Sequence, residues 1–168
     1  MFLAWKLVPK IVGGTEAAEG EFPYLASLRV YDYRNVLTHF CGSSIISHWF
    51  VLTAAHCMLD YPKDRIEVVV GTNDFWSGGA KYKIDKYINH ENYNKTSFAN
   101  DISLILVNRQ IQLGEKGDSG GALVFNGTVH GITSWNIPCG KGKPDVFTRV
   151  YKYVNWISTT VGKLPIPT

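Results

Sequence analysis

A glycine-rich stretch, QLGEKGDSGGALV at residues 112–124, places one acid and one serine, Asp118 and Ser119, side by side. A serine hydroxyl is a poor nucleophile until an imidazole takes its proton, and the imidazole needs a carboxylate that fixes its tautomer and stabilises its charged form. The chain offers both groups, as His56 in LTAAHC and Asp101 in FANDISLILV. These three side chains, His56, Asp101 and Ser119, could carry out hydrolysis by a serine nucleophile.

The glycines around Ser119 suit the same chemistry. A glycine before the Asp-Ser pair lets the chain turn sharply and aims the backbone N–H groups of Gly117 and Ser119 at one point. Those two groups would hold the oxyanion of a tetrahedral intermediate. Gly120 and Gly121 leave room for a substrate to approach.

A histidine beside a cysteine, as in LTAAHC, has other interpretations. His56 could be a core residue, a metal ligand or a base, and alone it would be taken as structural, as are the other four histidines. A metal site would want a second ligand at helical or C-x-x-C spacing, and none is near His56 in the sequence. We therefore expect neither a metal nor a cofactor.

The composition predicts a globular chain. Its 168 residues are 45% hydrophobic and 18% charged, with a net charge of +3, which is enough for one domain or two very small ones. The basic residues are scattered, so we expect no nucleic-acid or membrane-surface partner. Residues 1–10 are apolar but interrupted by Lys6, and we interpret them as the remnant of a leader or pro-segment. Two sequons, at Asn94 and Asn126, fit a secreted protein.

Short runs rich in Val, Ile, Tyr, Phe and Thr, separated by turn residues, predict nine strands and an all-β fold. The FNGT sequence between two of the runs predicts a hairpin with a type I′ turn. Helical spacing occurs at the end of the chain, where four apolar residues would share one face: Val150, Val154, Ile157 and Val161. The predicted strands are Tyr24–Tyr31, Thr38–Ser47, Phe50–Ala54, Arg65–Val70, Lys81–Asn89, Ile102–Val107, Ala122–Phe125, Thr128–Ser134 and Val146–Val150.

Five ordered motifs, IVGGTEA, LTAAHC, NDISLILV, GDSGG and ITSW, resemble the landmarks of the trypsin–chymotrypsin family of serine proteases. CGSSIIS and KPDVFTRVYKYVNWI resemble the insect chymotrypsin-like digestive enzymes, and the match runs from Ile11 to about Gly162. The resemblance implies a double Greek-key β-barrel with a C-terminal helix. It also implies a secreted, monomeric endopeptidase that forms an acyl-enzyme, with polypeptide substrates and protein protease inhibitors as partners.

The resemblance also assigns roles to residues. It makes His56 the general base, Asp101 its orienting carboxylate and Ser119 the nucleophile. Further positions match a disulfide that closes the loop behind the histidine, an edge that pairs with an extended substrate, and a position near the floor of the specificity pocket. These are Cys41 with Cys57, Ser134 with Trp135, and Asp145.

The activation step of the family has matching residues here. Cleavage after Lys10 would free an α-ammonium group on Ile11, which in the family inserts beside the acid that precedes the catalytic serine. In this chain that acid is Asp118. The buried pair shapes the oxyanion hole, so the resemblance implies a zymogen.

One spacing departs from the family pattern. Asp101 follows His56 by 45 positions, in agreement with the roughly 45 of the family, whereas Ser119 follows Asp101 by only 18 instead of on the order of ninety. About 75 residues are therefore absent between Val107 and Lys116. We expect a complete first barrel in residues 11–107 and a partial second barrel with the helix in residues 117–168.

The absent block leaves an alternative function open, that of an inactive truncated isoform or a non-catalytic homologue, and predicts little or no turnover. Cys139 matches a cysteine whose usual partner lies just before GDSGG, where Glu115 stands, so we expect Cys139 to be unpaired. The family's specificity residue would fall at Leu113, across the break, and we do not assign it to the pocket.

Overall fold

The computed structural model describes residues 18, 20–74, 77–112, 122–135 and 145–167. They form nine strands and one α-helix, and the predicted all-β fold with a terminal helix is confirmed. The elements are β1 (Leu25–Tyr31), β2 (Leu37–Ile45), β3 (Phe50–Thr53), β4 (Ile66–Val70), β5 (Ala80–Asn89), β6 (Ser103–Val107), β7 (Ala122–Phe125), β8 (Thr128–Trp135), β9 (Val146–Arg149) and α1 (Val154–Lys163).

The first six strands close into a barrel with the order β1-β2-β3-β6-β5-β4, and every neighbouring pair is antiparallel. Since β4 also pairs with β1, the order β4-β1-β2-β3 is that of a Greek key. Closure leaves no sheet edge unpaired, which removes the usual site of edge-to-edge association. The predicted complete first barrel is confirmed.

The strands β3 and β6 are buried along their whole length, which means on both faces. Their branched apolar side chains belong to the hydrophobic core. Val51, Leu104, Ile105 and Leu106 have at most 1% of their surface exposed. Burial of each such side chain stabilises the fold by about 1.5–3 kcal/mol. This core provides the rigid base on which the ends of β3 and β6 present their polar residues.

The last three strands form a separate sheet with the order β7-β8-β9. The turn between β7 and β8 has positive φ at Asn126 (48°) and Gly127 (69°), which confirms the type I′ hairpin. Three strands lie in this sheet among the described residues, half the number in the first barrel, as the partial second barrel predicted. On the face that contains Gly131, Leu123 and Phe147 remain 49% and 37% exposed.

The C-terminal helix is confirmed, but its predicted apolar face is wrong at Val154, which is 48% exposed. A 3₁₀ turn at Val150–Tyr153 precedes α1 and turns the chain by about 120° per residue instead of 100°. The α-helical spacing therefore cannot be extended back to Val150. The side chains that pack against the core are those of Tyr153, Trp156, Ile157 and Val161.

The segment after β6 follows the first barrel for five more residues. Ile111 is fully buried, its N–H donates to the carbonyl of His48 (2.7 Å), and the N–H of Gln112 donates to the Tyr82 hydroxyl (3.2 Å). Any break in the family pattern must therefore come after Gln112. In the described part of the chain, no helix has the length and apolar character needed to cross a membrane.

Candidate active site

His56 lies on a 3₁₀ turn, Ala55–Met58, that begins directly after β3. Ala54 and Ala55 are almost completely buried, so their small side chains let the turn pack closely on the barrel. The imidazole is 32% exposed, so one side faces solvent and the other faces the protein. The TAAHC sequence thus fixes the backbone while leaving the ring accessible.

Asp101 lies just before β6 and has 1% of its surface exposed. Its Oδ1 accepts a hydrogen bond from the backbone N–H of His56 (2.9 Å), and its Oδ2 accepts one from His56 Nδ1 (2.8 Å). The hydroxyl of Ser134, on β8, also donates to Oδ2. A carboxylate held from two directions keeps the proton of His56 on Nδ1, which leaves the Nε2 lone pair available as a base.

The two sheets meet at Asp101. The hydroxyl of Thr148, on β9, donates to the Asp101 backbone carbonyl (2.8 Å), and Tyr153 donates to the side-chain oxygen of the adjacent Asn100 (3.0 Å). With the Ser134 hydrogen bond, these contacts tie β8, β9 and the start of the C-terminal helix to the end of the first barrel. The small sheet therefore has a defined position relative to His56.

The pKa of Asp101 reflects opposing effects. Burial raises the pKa of this carboxyl, but the hydrogen bonds from His56 and Ser134 outweigh burial and hold it below its ordinary value. Burial together with the Asp101 charge raises the pKa of Tyr93 and Tyr153. The carboxylate is thus ionised throughout the range in which a histidine can act as a base.

The lowered pKa predicts acid destabilisation. Because the folded-state pKa of Asp101 lies below its unfolded value of about 3.9, its contribution is complete above that value and is lost as the pH falls through the folded pKa. We expect the free energy of unfolding to decrease below about pH 4, and less so in Asp101→Asn than in the native chain. Urea unfolding followed by tryptophan fluorescence measures this, with exposed Asp85→Asn as the control. An equal acid dependence in Asp101→Asn would contradict it.

The predicted disulfide is present between Cys41, on β2, and Cys57, on the turn that carries His56. It closes a loop across 16 positions and holds the histidine turn against the barrel. The predicted pairing from the family resemblance is confirmed.

Removing this disulfide should have a measurable cost. On the chain-entropy model, a loop of this size contributes about 3 kcal/mol, so Cys41→Ala/Cys57→Ala should lower the free energy of unfolding by that amount. Guanidinium unfolding at neutral pH provides the measurement. Cys139→Ala serves as the control because the sequence leaves Cys139 without a partner, and an equal loss in the two proteins would refute the prediction.

The disulfide also lies next to the imidazole, with Cys57 Sγ 3.5 Å from His56 Nε2. Because the sulfur atoms of Cys41 and Cys57 are bonded to each other, neither is a thiolate that could bind a metal ion beside His56.

Phe98 is a neighbour of His56 that the sequence did not indicate. Its ring meets the imidazole edge-on, with centroids 6.1 Å apart, and both Phe98 and Asn100 have positive φ (54° and 56°). Beside it lies an open cavity of about 250 Å³. Its lining residues are Phe98, Asn100, Ser134, Val146, Phe147, Thr148, Arg149, Lys152 and Tyr153.

The residues predicted to bind substrate have different environments. The Ser134 side chain is turned to Asp101 and is 8% exposed, so its hydroxyl does not face the solvent. Trp135 is 44% exposed and Asp145 is exposed. The pairing with β7 reaches only to Ile132, so among the described residues Ser134 and Trp135 have no strand partner on that side.

The remaining predicted site residues lie outside the described residues. They are Lys10, Ile11, Gly117, Asp118 and Ser119, and the unassigned Leu113 and the unpaired Cys139 lie outside as well. The structure thus brings His56, Asp101 and Ser134 together, and the positions proposed for the nucleophile, oxyanion hole and activation are known here from the sequence.

Comparison with known proteins identifies relatives of this chain. Chymotrypsin-2 of Vespa crabro is 31% identical over 220 aligned positions, which cover 88% of this chain and 98% of the relative. Cationic trypsin-3 of Rattus norvegicus is 30% identical, with 90% of each chain covered. The solved structure of human heparin binding protein is 22% identical and has the same fold, with a TM-score of 0.78 over 94% of this chain and 100% of the other.

The alignments also locate the absent block. The alignment with Chymotrypsin-2 of Vespa crabro, a hornet, covers 88% of the 168 residues, which is about 148 residues. About 72 of its 220 aligned positions therefore have no residue of this chain. The family model described as Trypsin matches residues 11–116 and, separately, residues 112–157. The two matches overlap at residues 112–116, which begin at Gln112, the last described residue of the segment that packs on the first barrel. On these findings, the chain belongs to the trypsin family and is short relative to its full-length relatives.

Proposed function

We propose that this chain is a serine endopeptidase that hydrolyses polypeptides through an acyl-enzyme intermediate. His56 serves as the general base, Asp101 as its orienting carboxylate and Ser119 as the nucleophile. The observation that carries the proposal is the arrangement of His56 and Asp101, in which the Asp101 carboxylate accepts one hydrogen bond from the imidazole Nδ1 (2.8 Å) and one from the backbone N–H of His56 (2.9 Å). Membership of the trypsin family supports the assignment of Ser119, in the GDSGG motif, as the nucleophile.

The proposed reaction begins when Nε2 of His56 takes the proton of the Ser119 hydroxyl as its oxygen attacks the scissile carbonyl carbon. The backbone N–H groups of Gly117 and Ser119 stabilise the resulting oxyanion. The imidazolium, stabilised by the Asp101 carboxylate, gives its proton to the leaving amine. Water then enters, activated by the same imidazole, and hydrolyses the acyl-enzyme. Exposed Trp135, at the end of β8, offers a strand partner for an extended substrate.

The broader role follows from the same assignment. We assign residues 1–10 to a leader or pro-segment remnant and residues 11–168 to a secreted, digestive protease domain, with protein protease inhibitors as further partners. Within the domain, residues 11–107 are assigned to the first barrel and residues 117–168 to the partial second barrel and helix. Asp145 is assigned to the substrate-binding site.

Activation in this proposal requires a cut after Lys10, because a free Ile11 amine is needed to pair with Asp118. We expect Lys10→Gln to prevent activation by added trypsin, whereas Lys86→Gln, at an exposed position on β5, should be activated like the native chain. N-terminal sequencing measures the cleavage, and hydrolysis of a peptide substrate measures the activity of the same sample. Equal activity in the uncut protein would refute this activation step.

A second candidate function is that of a non-catalytic homologue that binds peptides or inhibitors without turnover. Its support is the three-stranded second sheet, with Leu123 and Phe147 exposed on a face that a closed barrel would cover. Triad residues act only when they are held within about half an ångström of the productive geometry. Among the described residues, the sheet that begins three positions after Ser119 in the sequence has three strands, against six in the closed first barrel.

A fluorophosphonate probe, which reacts with activated serines, distinguishes the two functions. The chain is cleaved after Lys10 and treated with the probe, and the labelled residue is identified by mass spectrometry. Labelling at Ser119 that is abolished by His56→Ala supports the endopeptidase. Absence of labelling in a chain that is folded by circular dichroism refutes it and supports the homologue.

A further inference from the structure

The loop between β5 and β6 contains one of the two sequons, Asn94-Lys95-Thr96, and residues 94–99 are all exposed. Asn94 pairs across this loop with Ala99, whose carbonyl accepts the N–H of Asn94 (2.9 Å). We propose that Asn94 carries an N-linked glycan, and that this glycan protects the adjacent peptide bond, between Lys95 and Thr96, from proteases that cut after lysine. The inference rests on the secreted location proposed above and not on catalysis by this chain.

The side-chain amide of Asn94 is held in an orientation that suits the modification. Its Oδ1 accepts hydrogen bonds from the backbone N–H groups of Thr96 and Ser97, each 2.9 Å long. This Asx turn uses the oxygen of the amide. The atom that receives a sugar is Nδ2, which has no hydrogen-bond partner among the residues that the structure describes. Attachment at Nδ2 therefore leaves both hydrogen bonds of the turn in place.

The transfer of the glycan balances in one step. The donor in the secretory pathway is an oligosaccharide joined to a lipid through a diphosphate. A bond forms between Nδ2 of Asn94 and the first carbon of an N-acetylglucosamine unit, and the bond from that carbon to the diphosphate oxygen breaks. Nδ2 loses one proton to solvent, and the lipid diphosphate leaves with the electron pair of the broken bond. Because the transfer involves no reductant, it is compatible with the disulfide of this chain.

Lys95 lies where a protease can reach the chain. Six lysines and arginines lie between His56 and Asp101 in the sequence. Five of them lie in β5 or in the 3₁₀ turn before β4, whereas Lys95 lies in the exposed loop. Exposed loop tips with polar residues are preferred sites of proteolysis. A cut after Lys95 would open the loop that Asn94 and Ala99 close, and a bulky glycan on the preceding residue excludes the protease from this bond.

Protection of this bond has a consequence for activation. The activation step proposed above requires a cut after Lys10, and the protease that makes it also recognises Lys95. In the glycosylated chain the activator can cut after Lys10 while the chain between His56 and Asp101 stays continuous. The glycan thus directs a lysine-specific protease to the activating bond.

Glycan attachment is tested on the full chain carrying Thr128→Val, in which Asn94 belongs to the one remaining sequon. A leader placed before Met1 directs the chain into the secretory pathway of mammalian cells, and protein is recovered from cells and medium. Peptide N-glycosidase in heavy-oxygen water converts a glycosylated asparagine to a labelled aspartate, which mass spectrometry should find at position 94. Thr96→Ser keeps the sequon and should retain the glycan, whereas Thr96→Val should lose it.

Limited digestion with trypsin tests the protection. We expect the glycosylated protein to be cut after Lys95 at least about tenfold more slowly than the same protein deglycosylated under native conditions. Thr96→Val, which keeps Asn94 and its backbone contacts, should be cut like the deglycosylated protein. Cleavage after Arg34, which is exposed in the turn between β1 and β2, is the internal control and should have the same rate in all samples.

Two results would overturn the inference. One is an unmodified Asn94 in the chain recovered from the secretory pathway. The other is equal cleavage after Lys95 with and without the glycan. Neither measurement involves Ser119, so a failure here leaves the proposed endopeptidase unaffected, and a chain whose Ser119 is unreactive can still confirm the glycan and its protection of Lys95.

Discussion

Replacing Asp101 by asparagine should lower the rate at which a fluorophosphonate labels Ser119 by about four orders of magnitude, which is the loss of kcat that the same change causes in the reference enzyme of the family. The reason is visible in the hydrogen bonds. Oδ1 accepts from the backbone N–H of His56, and Oδ2 accepts from Nδ1 and from Ser134. An asparagine replaces one of these acceptors by a donor.

Either orientation of the new amide disrupts the site. If the NH₂ group faces Nδ1, the proton of His56 must move to Nε2, which then cannot accept the proton of Ser119. If it faces the backbone N–H of His56, two donors oppose each other in a buried position. Asp85→Asn, with the same change in charge at an exposed position, should label at the native rate. Equal labelling of the two variants would contradict the role assigned to Asp101.

The first barrel was predictable from local sequence. Its strands are short apolar runs bounded by turn residues, and their ends differ from the predicted ones by no more than two residues. The His56–Asp101 contact was predictable only through the family motifs, since 45 positions separate the residues and no periodicity relates them. Both the spacing and the motifs were needed to assign His56 as a base, because either observation alone also fits a structural histidine.

Other features depend on tertiary contacts that no local pattern encodes. Arg29 is 1% exposed, whereas an arginine in a strand would be expected to face solvent; its guanidinium donates to Ser27 Oγ (3.1 Å) and to the carbonyl of Asp74 (2.7 Å). The ring contact of Phe98 with His56 depends on a loop with two positive φ angles. Ser134, predicted at the substrate edge, donates its hydroxyl to Asp101, a contact across 33 positions of the chain.

The position of the absent block leads to the second large effect. Ile111 is fully buried and Gln112 is hydrogen-bonded to the first barrel, while the two family matches meet at residues 112–116. The break therefore lies between Gln112 and Gly117. Inserting there the corresponding segment of hornet Chymotrypsin-2, about 72 positions by the alignment, would supply the strands that the β7-β8-β9 sheet lacks.

We expect this insertion to raise the labelling rate of Ser119 by at least about 100-fold, since a displacement of about 1 Å in a catalytic group can cost that much. Closing the barrel should also cover Leu123 and Phe147, so binding of a hydrophobic dye should fall. A Gly/Ser linker of equal length at the same position is the matched control: it restores chain length without strands, and should change neither quantity. If the linker raised labelling as much as the hornet segment does, the position of Ser119 would depend on loop length alone. If neither insertion raised it, the missing strands would not be what limits this chain.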